Sequence, residues 1–312
     1  MKQKLALVFP GQGSQTVGML ADLYAEFSLV RDTFAEASAA LGYDLWALIA
    51  NGPEADLNET HRTQPALLTA SVAVWRLWQQ QGGATPAYLA GHSLGEYSAL
   101  VCAGVLTLAD AVKLVEKRGQ YMQSAVPAGT GAMSAIIGLD DALIAKACEE
   151  AAQGEVVSPV NYNSPGQVVI AGHKAAVERA NELCKAAGAK RALPLPVSVP
   201  SHCALMRPAA EQLAKDLQTL SFHAPVISVV NNVDVAIAAD AAAIQDALVR
   251  QLFSPVRWTE TIEYLAAQGV TEVIELGAGK VLSGLIKRIN KELVTTSVND
   301  VASLQAALAA KE

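Results

Sequence analysis

The chain has 312 residues, 52% hydrophobic and 17% charged, which excludes a disordered protein and allows one large or two moderate domains. A net charge of −7 argues against a general nucleic-acid binder, so any anionic partner must meet a local basic patch. Cys102, Cys148, Cys184 and Cys203 lack C-x-x-C spacing, which points to reduced thiols in a cytoplasmic protein, without disulfides or a metal site. Lys2 and Lys4 precede Leu5–Phe9, an apolar stretch too short for a signal-peptide core, and no run approaches a membrane span.

In chain order, Leu5–Phe9 reads as a buried strand, and helical patterns cover 27–41 and 66–79. Residues 87–90 read as a short buried strand, followed by helices over 96–103 and 108–125. This alternation predicts a parallel sheet with helices on both faces. The order changes at the Gly/Pro hinge 127–131. Beyond it come strand 132–137, helix 141–152, strand 156–161, the turn Asn163-Ser164-Pro165-Gly166, strand 167–171, helix 174–187 and strand 191–195. That βαββαβ order predicts an inserted ferredoxin-like small domain. After Pro200 the α/β texture returns, with strands at 226–230, 272–276 and 294–298 and helices at 241–252 and 281–291. The expected organisation is a large α/β domain from 1–127 and 198–312, with 128–197 as the small domain.

Gly91-His92-Ser93-Leu94-Gly95 lies between a predicted strand and a predicted helix, where a G-x-S-x-G pentapeptide can form a nucleophile elbow. Gly91 and Gly95 would let the strained backbone pass while the Ser93 hydroxyl is pushed out. The Leu94 N–H would point at a developing oxyanion.

Ser93 needs a base, and the chain has five histidines. His61 sits in a polar stretch and reads as a solvated surface residue. The side chain of His92 should point away from its neighbour if the local backbone is strand-like. His173 suits a surface or capping role, and His223 a structural one. His202 lies where the chain re-enters the large domain, a good place for a loop to face a cleft. Position makes it a candidate base without deciding the matter.

Thr107 can cap the helix 108–125, with Asp110 in capping-box position. Arg118 breaks that helix's pattern by lying inside the apolar arc. A buried guanidinium needs an anion, so Arg118 either forms a structural ion pair or waits as a fork for a substrate carboxylate. Near the start, Gly11-Gln12-Gly13-Ser14-Gln15 has Thr16 where a dinucleotide fingerprint requires glycine, and no P-loop lysine. Gln12 better suits a second oxyanion donor. Gly277-Ala278-Gly279-Lys280 reads as a strand-to-helix turn.

These motifs, with Asn161-Tyr162-Asn163-Ser164-Pro165-Gly166-Gln167 and Pro200-Ser201-His202, occur in one order. Together they closely resemble the free-standing bacterial malonyl-CoA:acyl carrier protein transacylases of fatty acid synthesis, essentially end to end. The resemblance implies an α/β-hydrolase-like large domain carrying the ferredoxin-like one, with the active site between them. It implies Ser93 as nucleophile, His202 as base, Gln12 and Leu94 as oxyanion donors, and Arg118 as the grip on the malonyl carboxylate. The loop at Gln251 would orient the histidine through its backbone carbonyl, and Asn163 would line the cleft. Ser201 stands where, in related modular polyketide acyltransferases, phenylalanine goes with malonyl and serine with methylmalonyl. The free-standing enzymes also carry serine there, so malonyl is the expected acyl group.

Malonyl-CoA and acyl carrier protein are thus the implied partners, with no cofactor, nucleic acid or membrane, and a monomer is expected. Carrier proteins are typically acidic, and Lys280, Lys287 and Lys291, at helical spacing beside Arg288, offer a docking face. Lys190 and Arg191 are a second candidate. Two rivals remain at this level. A serine hydrolase of this fold would place its acid and then its histidine late, yet no histidine follows His223. A non-catalytic thioester-binding subunit would be marked by loss of Ser93 or His202.

Overall fold

A computed structural model describes residues 4–197 and 199–310, so Lys2 and the boundary residue Ser198 lie outside the described residues. The strands, in chain order, are β1 (Leu5–Phe9), β2 (Tyr88–Gly91), β3 (Gly131–Ile137), β4 (Val157–Ser164), β5 (Gln167–His173), β6 (Arg191–Pro194), β7 (Ser228–Val230), β8 (Glu272–Leu276) and β9 (Val294–Val298). They form a parallel sheet of order β7-β2-β1-β8-β9 and an antiparallel sheet of order β4-β5-β3-β6. The fold is therefore α/β, with the expected parallel sheet and a smaller ferredoxin-like one.

β1 is the centre of the parallel sheet, paired with β2 on one side and β8 on the other. All of its residues are buried, and its unbroken Leu-Ala-Leu-Val-Phe run is what a strand covered on both faces requires. Helix Thr60–Gln80 packs closely against helix Leu108–Ser124, and their apolar faces join the main core. Thr107 caps the latter by accepting from the Asp110 N–H at 3.1 Å. Only this half of the expected capping box forms.

β4 ties the small sheet to the segment around Val256 and to the start of helix Trp258–Ala267. Tyr162 N–H donates to the Val256 carbonyl, Val256 N–H donates to the Val160 carbonyl, and Thr259 Oγ1 donates to the Tyr162 carbonyl. The strand reaches Ser164, so Asn163 lies in it, and the turn is confined to Pro165-Gly166, where Gly166 has φ 74°.

Several boundaries differ from the sequence reading. The long helix starts at Thr60 and carries Pro65 inside it, so the polar stretch before the proline is helical. The strand expected from 226 is shorter, because Val226 is 80% exposed and lies outside it. Helices Ala21–Glu26, Leu45–Asn51, Glu54–Leu57, Arg207–Leu217, Trp258–Ala267 and Val301–Ala309 lie outside the predicted elements. Among the described residues, no helix is long and apolar enough to cross a membrane.

Gly119 lets the two long helices approach closely: a Cβ there would lie 2.5 Å from His61 Cα. Gly119→Ala should therefore cost about 1–3 kcal/mol through overpacking. Urea unfolding checks this, and an unshifted midpoint would show that the helices have room to part.

Candidate active site

The elbow is built by close approach. A Cβ on Gly91 would lie 1.9 Å from the Gly95 carbonyl, and one on Gly95 would lie 2.1 Å from the Phe9 carbonyl oxygen. Only glycine fits at either position, so the G-x-S-x-G spacing is a steric necessity. Between them Ser93 takes φ 51°, a left-handed conformation uncommon for serine. Asn232, fully buried beyond the end of β7, clamps this turn. Its Oδ1 accepts from Ser93 N–H at 2.8 Å, and its Nδ2 donates to the Gly91 carbonyl at 2.6 Å. Its own N–H donates to Glu96 Oε1 at 2.5 Å. The sequence reading missed both Asn232 and Glu96. The available signal was an Asn-Asn pair just after a predicted strand, at the sheet edge where sites gather.

Ser93 Oγ lies 2.7 Å from His202 Nε2, and His202 Nδ1 lies 2.7 Å from the Gln251 carbonyl oxygen. A carbonyl only accepts, so Nδ1 carries the proton and Nε2 is free to accept from the serine hydroxyl. Gln251 ends helix Ala241–Gln251, so its carbonyl is presented by a helix terminus rather than by a loop. His202 is buried and has φ 64°. Burial first, and then the nearby Arg118 charge, push its pKa down to about 3, against the opposing pull of the Gln251 bond. No other histidine takes this place. His92 Nε2 pairs with Asn163 Oδ1 at 2.7 Å, His61 lies 3.4 Å from Glu59, and His173 Nδ1 accepts from Val156 N–H. His223 is exposed.

Arg118 is 1% exposed, as its place on the apolar arc requires. One terminal nitrogen donates to Gln64 Oε1 at 2.8 Å. The other donates to Gln251 Oε1 at 2.9 Å and to Ser93 Oγ at 3.3 Å. The guanidinium lies over the Tyr97 ring, 5.2 Å from its centroid. Among the described residues it forms no ion pair, which removes the structural ion-pair reading. The carboxyl whose charge reaches it is Glu96, but that group is turned to the Asn232 N–H. Burial raises the Glu96 pKa to about 7. Burial likewise lowers the pKa of Arg118.

Around these groups a cleft of about 490 Å³ is lined by Gln12, Ser93, Leu94, Arg118, Asn161 and His202, among others. Gln12 and Leu94 line the same cleft as Ser93, and the backbone N–H of neither is spent on another acceptor among the described residues. Asn163 stands behind His92 instead of lining the cleft, where Asn161 takes the place expected for it. Lys287 and Arg288 are exposed on helix Val281–Ile289. Lys280 only caps that helix and Lys291 lies past its end, so the four residues do not form one helical face.

Residues 6–307 match the family model described as the acyl transferase domain. The chain is 70% identical over 305 residues to the malonyl CoA-acyl carrier protein transacylase of Salmonella typhimurium, covering 98% of this chain and 99% of that protein. It is 46% identical to the protein of the same name from Bacillus subtilis, covering 98% and 96%. An acyl carrier protein S-malonyltransferase from Vibrio cholerae superposes with a TM-score of 0.96 at 70% identity, covering 97% and 99%. A malonyl-transacylase in complex with a type II PKS acyl-carrier protein superposes with a TM-score of 0.98 at 64% identity, covering 99% and 100%.

The low pKa of His202 sets a sign for acid stability. As pH falls below about 6.5, the unfolded chain's histidine takes up a proton that the folded one refuses, so stability falls until pH nears 3. His92, also lowered by burial, acts in the same direction. The drop in urea midpoint between pH 7 and 5 should therefore be smaller in His202→Gln than in the parent protein. Equal drops would mean that His202 protonates without unfolding.

Proposed function

The chain belongs to the acyl transferase domain family, and from that membership and the geometry around Ser93 we infer that it transfers malonyl groups from malonyl-CoA to acyl carrier protein. It is an acyl-carrier-protein S-malonyltransferase that supplies malonyl units to fatty acid synthesis, working without a cofactor in the cytoplasm. The observation that carries this reading is Arg118, a buried cation without a carboxylate partner among the described residues, 3.3 Å from Ser93 Oγ.

The reaction is a double displacement. His202 Nε2 accepts the Ser93 proton as Oγ attacks the malonyl thioester carbon. The oxyanion meets the N–H groups of Gln12 and Leu94, and the tetrahedral intermediate expels the coenzyme A thiolate, which takes the proton back from His202. In the second half the phosphopantetheine thiol of the carrier protein gives its proton to His202 and attacks the serine ester carbon, and the tetrahedral intermediate expels Ser93 Oγ, which takes that proton back from His202. Gln251 holds the histidine tautomer, and Asn163 acts through His92. Arg118 receives the malonyl carboxylate as a bidentate fork. Because the Arg118 charge also holds down the His202 pKa, a bound carboxylate offsets that charge and makes the histidine a better base. A hydrolase acting on neutral esters would have no use for such a cation.

Labelling with malonyl-CoA followed by denaturation should trap one malonyl ester per chain, absent in Ser93→Ala and formed about 10²–10⁴-fold more slowly in His202→Ala. Rapid release of free malonate would indicate a hydrolase. In Arg118→Ala, malonyl transfer should fall by several kcal/mol while acetyl transfer falls less or rises. Equal losses would reduce Arg118 to a structural role.

The carrier protein docks on the exposed pair Lys287 and Arg288, a local basic patch on a chain of net charge −7. Reversing both to glutamate should raise KM for the carrier protein and flatten its salt dependence, with free pantetheine used as before. Unchanged carrier-protein kinetics would place docking elsewhere, with Lys190 and Arg191 next in line.

A further inference from the structure

We propose that Gln64 is a specificity-determining positioning residue: as a neutral ligand to Arg118 it leaves the guanidinium charge free to select a carboxylated acyl group. This rests on the malonyl-transfer reading and adds the cause of its selectivity.

Gln64 is 1% exposed, sits one turn into helix Thr60–Gln80, and does not line the cleft. It therefore acts through Arg118. Its Oε1 accepts from Arg118 at 2.8 Å, and its Nε2 donates to Thr60 Oγ1 at 3.1 Å. Thr60 Oγ1 donates in turn to Gln12 Oε1 at 3.1 Å. The side chain is thus held so that only its oxygen faces the cation. Gln251 presents a second amide oxygen from the opposite side at 2.9 Å.

Buried guanidinium groups are ordinarily paired with carboxylates. Two amide oxygens provide the same hydrogen bonds and fix the fork, yet cancel none of the charge. A glutamate at either place would satisfy the geometry equally well and neutralise the site before substrate arrived. The choice of an amide over a carboxylate, one atom in each side chain, then decides whether malonyl is preferred over acetyl. The site can accommodate the change, because the Thr60 hydroxyl can turn to donate to a carboxylate oxygen.

The test compares Gln64→Glu with Gln64→Met in transfer from malonyl-CoA and acetyl-CoA to acyl carrier protein, with urea unfolding alongside. In Gln64→Glu, malonyl kcat/KM should fall roughly 100-fold, the scale of a lost charge-assisted pair, while acetyl kcat/KM stays within about 3-fold. Its unfolding midpoint should match or exceed the parent's, since a carboxylate now faces an uncompensated cation. Gln64→Met, neutral and of similar shape, should keep the malonyl-to-acetyl ratio within about 3-fold even if both rates drop. An unchanged ratio in Gln64→Glu overturns the proposal. So does an equal collapse of the ratio in Gln64→Met, which would make the hydrogen bond and not the charge decisive. Failure of Gln64→Glu to fold overturns it too, because relief of a bare charge cannot unfold the chain. A parent protein that traps no malonyl ester would instead remove the underlying reading, an outcome visible before either variant is made.

Discussion

A guanidinium buried without an ion-pair partner among the described residues is the constraint on which the rest of the cleft depends. Removing such a cation from water costs several kcal/mol, and hydrogen bonds to amide oxygens and an aromatic face recover only part of that. Arg118 is held in this state by Gln64, Gln251 and Tyr97, all buried. The same charge acts across the site on His202, adding to the burial that keeps its imidazole neutral. Arg118 and His202 are thus coupled, with burial the larger influence on the histidine and the Arg118 charge the second.

The reacting atoms are held by backbone geometry that costs energy to maintain. Ser93 and His202 both have positive φ, which side chains other than glycine seldom adopt. Asn232 holds Ser93 through the elbow's own N–H and carbonyl, so the Ser93 N–H is already bonded, whereas the Leu94 N–H is spent on no other acceptor among the described residues. Gln251 works twice: its backbone fixes the His202 tautomer, and its side chain touches both Arg118 and the Ser93 carbonyl. One residue therefore ties His202, Arg118 and Ser93 together.

The small antiparallel sheet completes the cleft from the other side. Its strand β4 is joined by backbone hydrogen bonds to the segment around Val256, and Asn163 on that strand pairs with His92, next to the nucleophile. The nucleophile's immediate neighbour is thereby steadied from a different sheet, which brings Asn161 to the cleft wall.

The sequence by itself determined the features that rest on local rules. Unbroken apolar strands in alternation with helices specify a parallel sheet, and βαββαβ order specifies the second unit. Gly91 and Gly95 mark the elbow because no side chain fits there, and Arg118 is conspicuous because a charge on an apolar arc is costly. Helix ends were less legible. The helix expected from 66 starts at Thr60 and carries Pro65 inside it, and lysines at helical spacing did not reveal that their helix stops at Ile289. The tertiary structure alone decided what surrounds Arg118, since Gln64, Gln251 and Glu96 lie far apart in the chain. It alone also brought Asn232 to the elbow and moved Asn163 behind His92. Those contacts join residues far apart along the chain, and hydrogen bonds between distant polar side chains leave no period or spacing to read.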